Sequence, residues 1–309
     1  MNYSSKFEEH LAERGKSHPP IKSYLADMRR FSQWVGQSNG DLLLPQHITT
    51  SNLREYREYL LTVQRHKAST INRWLAAIRK YLDWAVSQGM IENNLARAIK
   101  IMKRPSQMVR WLNKKEQHAL QQAIDKDLHL AKLRYPVRIT TRQRDAAIVI
   151  LLLNTGLRLS ELGTLRLEDI DLAEHNGYLE IAGKGRKERV VPLNLKARKA
   201  MQNWLQVRPE IAAHDAVFIT LEQSANGSLC DRSIQRIVRR FGEQAGLPNL
   251  IPQVLRHTFA KNLVDAGVSL DEVAALLGVG LTAVWHYAVI ATKDLEAAVE
   301  KISSGGEYV

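Results

Sequence analysis

The sequence of 309 residues is poor in cysteine and contains no long apolar run. Its one cysteine, Cys230, cannot form an intramolecular disulfide, and no cluster of Cys and His has the spacing of a zinc site. The longest apolar run, residues 146–153, is far too short to cross a bilayer. The first residues, MNYSSKFEEHLAERGK, form no apolar signal region. We therefore expect a cytoplasmic protein with no membrane partner and no metal.

Acidic residues are also comparatively scarce. Lys and Arg total 44 against 32 Asp and Glu, which gives a formal net charge of +12. Such a surplus favours a polyanionic partner, chiefly nucleic acid, although a protein that is merely basic fits it too. Internal repeats and low-complexity tracts are absent. The length suits two domains, and a hydrophobic content of 45% lets each bury a core.

The first domain, residues 1–104, is predicted to be helical and basic. Apolar residues recur there at helical spacing, and a third helix is expected from Ser69 as N-cap to a stop at Gly89. Up to Met108 there are 17 Lys and Arg against 9 Asp and Glu. A DNA-binding domain and a merely solvated helical bundle both fit this pattern. The basic residues on the expected exposed faces are Arg29, Arg30, Arg54, Arg57, Arg73, Arg79 and Lys80.

Residues 105–110 form a predicted linker, because Pro105 blocks helix continuation in a polar stretch. In the second domain, residues 111–309, Asn113 can cap a helix through residue 123, and a longer helix covers 141–154. Residues 178–181 and 188–193 alternate like strands and flank a basic, glycine-containing hairpin tip at 183–187. Helices are expected again from about Asp231. The predicted fold is mainly α with a small antiparallel β-sheet.

Three segments carry candidate chemistry. In TGLRLSEL, Gly156 allows a sharp turn and Arg158 follows it near a helix N-terminus, where Glu161 can orient the guanidinium. A surface Arg–Glu pair explains the same spacing. In PQVLRHTFA, Arg256 is either paired in the interior or reaches into a cleft, and the adjacent His257 is either structural or functional. The third segment, LLG followed by WHY, contains Tyr287, which can serve packing alone.

Taken together, these residues suit phosphodiester chemistry. Two arginines can hold a phosphate through forked hydrogen bonds, and a tyrosine hydroxyl can attack phosphorus to form an ester. A lysine on a hairpin can protonate the leaving 5′ oxygen. Arginines that stabilise the developing charge remove the need for a metal.

The chain closely resembles the tyrosine recombinase, or phage integrase, family, in its Xer-like branch. The resemblance rests on four segments in the same order: TGLRLSEL, GKGRKERVVPL, PQVLRHTFA and LLG…Y. ASTINRWLAAIRKYLDWAVSQGMIENNLA resembles that family's N-terminal core-binding domain. The resemblance implies Arg158, Lys184, Arg256 and Tyr287 as catalytic residues, with Glu161 in support. The basic residues that we expect at DNA are Arg73, Arg79, Lys80, Arg186 and Lys187. Lys184 can instead be a solvated residue of the hairpin tip, and Arg186 and Lys187 are nearby rivals for its role.

Two positions depart from the family pattern. The second motif normally starts with histidine, where this chain has Gln253, and the third has His or Trp after Leu-Gly, where it has Val279. Glutamine cannot accept a proton at neutral pH, and valine offers no hydrogen bond. Trp285 and His286 are the neighbouring residues that can compensate. His257, Gln253, Val279 and His286 are counted with Glu161 as supporting residues of the site. Losing one charge-stabilising donor costs on the order of a hundredfold in rate.

The resemblance implies a C-shaped, two-domain clamp around double-stranded DNA and a homo-tetramer on two DNA sites, without a cofactor. An accessory DNA-binding protein is a possible further partner. A predicted helix at 294–302 carries an apolar stripe that can dock on a neighbouring subunit or on its own domain. The expected reaction is recombination through a 3′-phosphotyrosine, for integration, excision or resolution. The alternatives are a DNA-binding protein that no longer cuts and a topoisomerase-like nicking enzyme.

Overall fold

The computed structural model describes residues 3–14, 18–36, 42–103, 109–173, 175–182, 188–210, 215–221 and 227–288. The chain divides into two compact units, Met1–Gln107 and Met108–Val309. No helix within these described ranges is long and apolar enough to cross a membrane.

The first unit is helical, and aromatic residues fill its core. Phe7 and Tyr81 pack edge to face with ring centroids 5.2 Å apart, and Phe31 lies 5.0 Å from Tyr56. The Tyr81 hydroxyl donates to the carbonyl of Leu43 at 2.9 Å, so its polar end is satisfied inside the core. The helices of this unit are α1 (Tyr3–Glu13), α2 (His18–Trp34), α3 (Thr50–Thr62) and α4 (Ala68–Ser87).

One predicted boundary in this unit is wrong. Helix α4 begins at Ala68, with Lys67 at the N-cap position, so Ser69 lies inside the first turn. The carbonyl of Lys67 accepts hydrogen bonds from the amides of Thr70 and Ile71 at 2.9 and 3.2 Å, so the N-cap lies two residues before the predicted one. The expected stop is present, because Gly89 adopts φ +67° directly after the C-cap residue Gln88.

The second unit is built around a helix that is apolar on nearly every side. Helix α6 buries Ala146, Ala147, Ile148, Val149, Leu151 and Leu152, which is the pattern of a central core helix. The helices of this unit are α5 (Lys114–Arg134), α6 (Ile139–Thr155), α7 (Leu159–Thr164), α8 (Leu195–Leu205), α9 (Asp231–Gln244), α10 (Pro252–Asp265) and α11 (Leu270–Leu277). Helices α5, α8, α9 and α10 pack against α6.

Helix α5 is longer than predicted. Asn113 caps it as expected, accepting from the Glu116 amide at 2.9 Å, but the helix continues past residue 123 to Arg134. Leu120, Ile124 and Ala131 are buried at helical spacing, so the apolar face extends through a segment that is otherwise polar.

A small antiparallel sheet completes the second unit. It consists of β1 (Ile170–Leu172), β2 (Gly177–Ile181) and β3 (Arg189–Pro192), in the order β1-β2-β3. The hairpin strands were predicted, whereas the three-residue β1 was not. In β2, Gly177, Leu179 and Ile181 alternate onto the buried face. Ile181 pairs with Arg189, so this arginine enters the side of the sheet that faces the core.

Candidate active site

The turn between α6 and α7 positions the first arginine. Gly156 follows α6 with φ +63°, a left-handed conformation that favours glycine. A Cβ atom there would lie 2.5 Å from Phe259 Cδ1 and 2.8 Å from Leu277 Cδ2. The turn therefore packs directly against α10 and α11, and it places Arg158 at the N-cap of α7.

Glu161 organises the arginines of the site. It accepts from the Arg158 backbone amide at 2.7 Å and from Arg158 Nη1 at 2.6 Å. Arg189 binds both carboxylate oxygens, with distances of 2.9 and 2.8 Å. Burial alone would raise the Glu161 pKa, but the hydrogen bonds from Arg189 and Arg158 outweigh it and lower the pKa to about 2. Glu161 is therefore ionised at neutral pH.

The C-terminal end of α11 binds three guanidinium groups. The last carbonyls of a helix have no partner within it, and the helix dipole makes that end favourable for cations. Each arginine uses a different one of three successive carbonyls, so all three are held on one rigid support. The contacts are Arg189 Nε to Leu276 at 2.9 Å, Arg256 Nη2 to Leu277 at 2.7 Å, and Arg158 Nη2 to Gly278 at 2.7 Å.

Arg256 is the more deeply placed of the two predicted phosphate-binding arginines. Its Nη1 donates to the carbonyl of Gly156, which ties α10 to the α6–α7 turn. Burial, followed by the nearby charge of Arg158, lowers the Arg256 pKa to about 10. The guanidinium therefore stays protonated at neutral pH while sharing one site with a second cation, an arrangement that favours an anion between them.

Tyr287 lies in a 3-10 turn, Trp285–Tyr287, and is only 5% exposed. Its ring packs in a small apolar cluster with Ala260, Val273 and Leu277. Its hydroxyl contacts Nδ1 of His257, and the two ring centroids are 5.6 Å apart. Burial raises the Tyr287 pKa above 10.0, and the charge of Arg256 partly opposes this rise.

A cavity of about 750 Å³ opens beside these residues. No carboxylate is found among the described residues that line it. Arg158 and Arg256 form part of its wall, and α9 contributes an exposed ladder of arginines. This ladder consists of Arg232, Arg236 and Arg239. The cavity is therefore strongly cationic and suited to a polyanion such as a nucleic acid backbone.

The remaining predicted site residues are dispersed. Gln253 is exposed on the cavity wall, His286 is exposed, and Val279 packs against the cluster that contains Tyr287. Lys184, Arg186 and Lys187 lie outside the described residues, as does the predicted helix at 294–302. Across the described parts of the chain, no group of three or more His, Cys, Asp or Glu could hold a metal ion.

In the first unit, the predicted DNA-binding residues differ in their local contacts. Arg73 donates to Ser23 Oγ at 3.1 Å and forms an ion pair with Asp27. Arg79 donates from Nε to the carbonyl of Ala96 at 3.0 Å and from Nη2 to that of Ile99, so it stabilises its own unit. Lys80 is exposed beside a cavity of about 560 Å³.

Sequence reasoning missed Arg189 and the α9 ladder. Arg189 shares the inward face of β3 with Val191, and a charged residue at a strand position that alternates with buried residues was the available signal. The ladder could have been found from the i, i+4, i+7 spacing of Arg232, Arg236 and Arg239, which puts all three on one helix face.

Comparisons with known proteins identify the family of the chain. The phage integrase family profile matches residues 110–280, and that of the phage integrase N-terminal SAM-like domain matches 5–89. The tyrosine recombinase XerC of Proteus mirabilis is 33% identical over 271 residues, or 86% of this chain and 81% of that protein. The XerC of Corynebacterium efficiens is 31% identical over 265 residues, covering 85% and 78% of the two chains.

Solved structures share the fold. The XerH site-specific recombinase bound to palindromic difH substrate, in a post-cleavage complex, has a TM-score of 0.71 at 21% identity, over 96% of this chain and 84% of that chain. A lambda integrase dimer bound to a COC′ core site has a TM-score of 0.65 at 18% identity, covering 92% and 93%. The described part of the site combines two arginines, a buried tyrosine and a cationic cavity. The chain belongs to the phage integrase family, the tyrosine recombinases, which are DNA cleavage and religation enzymes.

Proposed function

We propose that this chain is a site-specific DNA recombinase that cuts duplex DNA through a 3′-phosphotyrosine on Tyr287. One observation carries the proposal. The turn after α6 and the end of α11 bring Arg158 and Arg256 together on the wall of a cationic cavity, and His257 of the same wall contacts the Tyr287 hydroxyl. A phosphodiester in this cavity would meet both guanidinium groups near the tyrosine.

The proposed reaction follows from these positions. Arg158 and Arg256 bind the non-bridging oxygens of the scissile phosphate and stabilise the charge that develops during attack. The Tyr287 oxygen bonds to phosphorus, the bond to the 5′ oxygen breaks, and Lys184 protonates that oxygen. Religation to a partner strand reverses these steps. Because the phosphotyrosine ester retains the bond energy, the reaction needs no nucleotide cofactor.

The substrate of the proposed reaction is double-stranded DNA. The α9 ladder, Gln253, Arg186 and Lys187 belong to the catalytic side of the interface in this proposal. In the first unit, exposed Lys80 is the simplest phosphate contact, whereas Arg73 and Arg79 also serve internal contacts. The proposal also includes a homo-tetramer on two DNA sites, an accessory protein, and integration, excision or resolution of a mobile element or replicon.

A covalent trapping experiment tests the proposal. Genomic fragments bound by the purified protein are recovered, and nicks placed near the bound site turn them into suicide substrates. We expect SDS-resistant protein–DNA adducts with the wild-type chain and none with Tyr287→Phe. An adduct that persists in Tyr287→Phe would overturn the assignment of the nucleophile.

A second candidate is a DNA-binding protein that no longer cuts, and Gln253 and Val279 favour it. Exposed Gln253 cannot accept a proton, and Val279 packs in the apolar cluster instead of facing the phosphate with a donor. Tight binding without an adduct, even in a Gln253→His, Val279→His double variant, would support this candidate. Relaxation of supercoiled DNA that needs no second site would instead indicate a topoisomerase-like nicking enzyme.

A further inference from the structure

The proposed attack requires a group that takes the proton of the Tyr287 hydroxyl. A neutral phenol is a weak nucleophile, and burial raises the Tyr287 pKa, so spontaneous ionisation at neutral pH is rare. Gln253 has no proton-accepting nitrogen, and Val279 has no polar group. The acceptor must therefore come from another position in this chain.

His257 occupies that position. It follows Arg256 on α10, and its Nδ1 contacts the Tyr287 hydroxyl. The side chain also forms part of the wall of the cationic cavity, so the same ring touches the nucleophile and borders the space for the phosphate. The contact joins α10 to the 3-10 turn that carries Tyr287, and these two elements pack together.

The surroundings keep His257 in the form that accepts a proton. Burial, then the charge of Arg256, then His286 lower its pKa below 6.5, so the ring is neutral at pH 7. The groups around it come from several elements: Arg256 from α10, His286 and Tyr287 from the 3-10 turn, Arg158 from the N-cap of α7, and the α9 ladder on the wall of the same cavity. A neutral ring that carries its proton on Nε2 presents Nδ1 as an acceptor to the hydroxyl.

We propose that His257 is the general base of the cleavage step and takes the Tyr287 proton on Nδ1 as the tyrosine oxygen attacks the scissile phosphorus. The P–Oη bond forms, the P–O5′ bond breaks, and the leaving oxygen receives its proton from the general acid. In religation His257 returns the proton to Tyr287 as the P–Oη bond breaks. This inference rests on the proposed function, because it assumes that Tyr287 is the nucleophile.

Substitution of His257 can distinguish a residue that accepts the Tyr287 proton from one that only positions the Tyr287 hydroxyl. In His257→Asn, a side-chain amide can replace the Nδ1 contact with the hydroxyl but cannot take its proton. We expect single-turnover cleavage of a suicide substrate to slow by at least about 100-fold, with unchanged DNA affinity. His129→Asn, an exposed histidine of α5, is the matched control and retains the wild-type rate. Wild-type cleavage by His257→Asn would overturn the inference.

The pH dependence of the cleavage rate distinguishes a general base from a structural residue, because only the loss of a base would change this dependence. The wild-type rate falls with decreasing pH along a limb whose midpoint lies below pH 6.5, because protonated His257 cannot accept a proton. In His257→Asn this limb disappears, and the rate rises as the pH approaches the Tyr287 pKa above 10.0. A limb that survives in His257→Asn and disappears in His286→Asn would assign the base to His286 and overturn the inference.

A modified substrate distinguishes the base from the acid. Sulfur in place of the bridging 5′ oxygen leaves as a thiolate and needs no proton donor. We expect the defect of His257→Asn to persist on this substrate, and recovery to the wild-type rate would reassign His257 to the leaving group. Tyr287→Phe tests the underlying function separately. An adduct in that variant contradicts the proposed nucleophile, whereas no adduct there with full activity in His257→Asn contradicts only the inference.

Discussion

The carboxylate of Glu161 accepts hydrogen bonds from both terminal nitrogens of Arg189, at 2.9 and 2.8 Å. Both side chains are largely buried, with exposed fractions of 11% and 12%. Because Arg189 also donates to Leu276, the pair connects α7, β3 and the end of α11. The same carboxylate orients Arg158, so the support of the active site and the stability of the second unit depend on one residue.

Removing the charge of Glu161 should therefore destabilise the second unit. In Glu161→Gln, the buried Arg189 guanidinium loses its anionic partner, and we expect a loss of about 3 kcal/mol in the free energy of unfolding. Hydrogen exchange of the α6 amides measures this, because the two units can unfold separately. Glu168→Gln is the control: its pair with Arg166 is exposed and 3.8 Å long, and its loss costs less than about 1 kcal/mol. Equal losses of unfolding free energy in Glu161→Gln and Glu168→Gln would contradict the stabilising role of the Glu161–Arg189 pair.

Glu161 also makes stability depend on pH. Its pKa is lowered from 4.5 to about 2 in the folded chain, so its ionised form contributes stability that is complete above pH 4.5. That contribution, on the order of 3 kcal/mol, is lost as the pH falls from 4.5 towards 2. We expect the difference in unfolding free energy between wild type and Glu161→Gln to shrink over this range. A difference that stays constant from pH 6 to pH 3, measured by urea denaturation, would be inconsistent with this account.

Gly156 should be irreplaceable for steric as well as conformational reasons. In Gly156→Ala the new Cβ would collide with Phe259 and Leu277, and its left-handed φ would add strain. We expect a loss of at least about 3 kcal/mol in the free energy of unfolding and a slower cleavage step, because Arg256 donates to the Gly156 carbonyl.

Gly267→Ala is the control that isolates the conformational strain. Gly267 has φ +82°, and no atom of the described residues lies within 4 Å of the position that a Cβ would take there. This variant should therefore lose only about 1 to 2 kcal/mol. Similar losses at both glycines, measured by denaturant unfolding, would contradict the close packing of the α6–α7 turn.

The α9 ladder should dominate the electrostatics of DNA binding by the second unit. Replacing Arg232, Arg236 and Arg239 with glutamine should weaken binding across all sequences and reduce the slope of log K against log salt by roughly 2 to 3. The control removes the same charge from exposed lysines away from the cavity. It replaces Lys126, Lys196 and Lys199 with glutamine. An equal reduction of the slope in both triple variants would show that only net charge matters.

Local patterns predicted the elements that depend on local forces. The sequence predicts Asn113 as a cap because asparagine is a preferred N-cap residue, and its side chain accepts from the Glu116 amide at 2.9 Å. The hairpin strands follow from alternation. The end of α5 was missed because buried Ala131 gives a weak apolar signal among charged neighbours. Strand β1 has three residues, too few for a recognisable alternation.

The candidate site was only partly accessible to sequence reasoning, because its geometry comes from distant contacts. Motifs identified Arg158, Arg256 and Tyr287, but Arg189 meets Glu161 across 28 positions of the chain, and His257 meets Tyr287 across 30. No local pattern encodes such pairs. Three successive carbonyls at the C-terminal end of α11, including that of the C-cap Gly278, bind three arginines from different elements. This arrangement becomes visible only once the fold brings the arginines together.

The most direct test of the central claim is to identify the residue that is joined to DNA. The trapped adduct is digested with a protease and a nuclease, and the nucleotide-bearing peptide is sequenced by mass spectrometry. The account predicts that a nucleotide linked through its 3′ phosphate is found on Tyr287. A linkage at another residue, or through a 5′ phosphate, would contradict the assignment of Tyr287 as the nucleophile of a tyrosine recombinase.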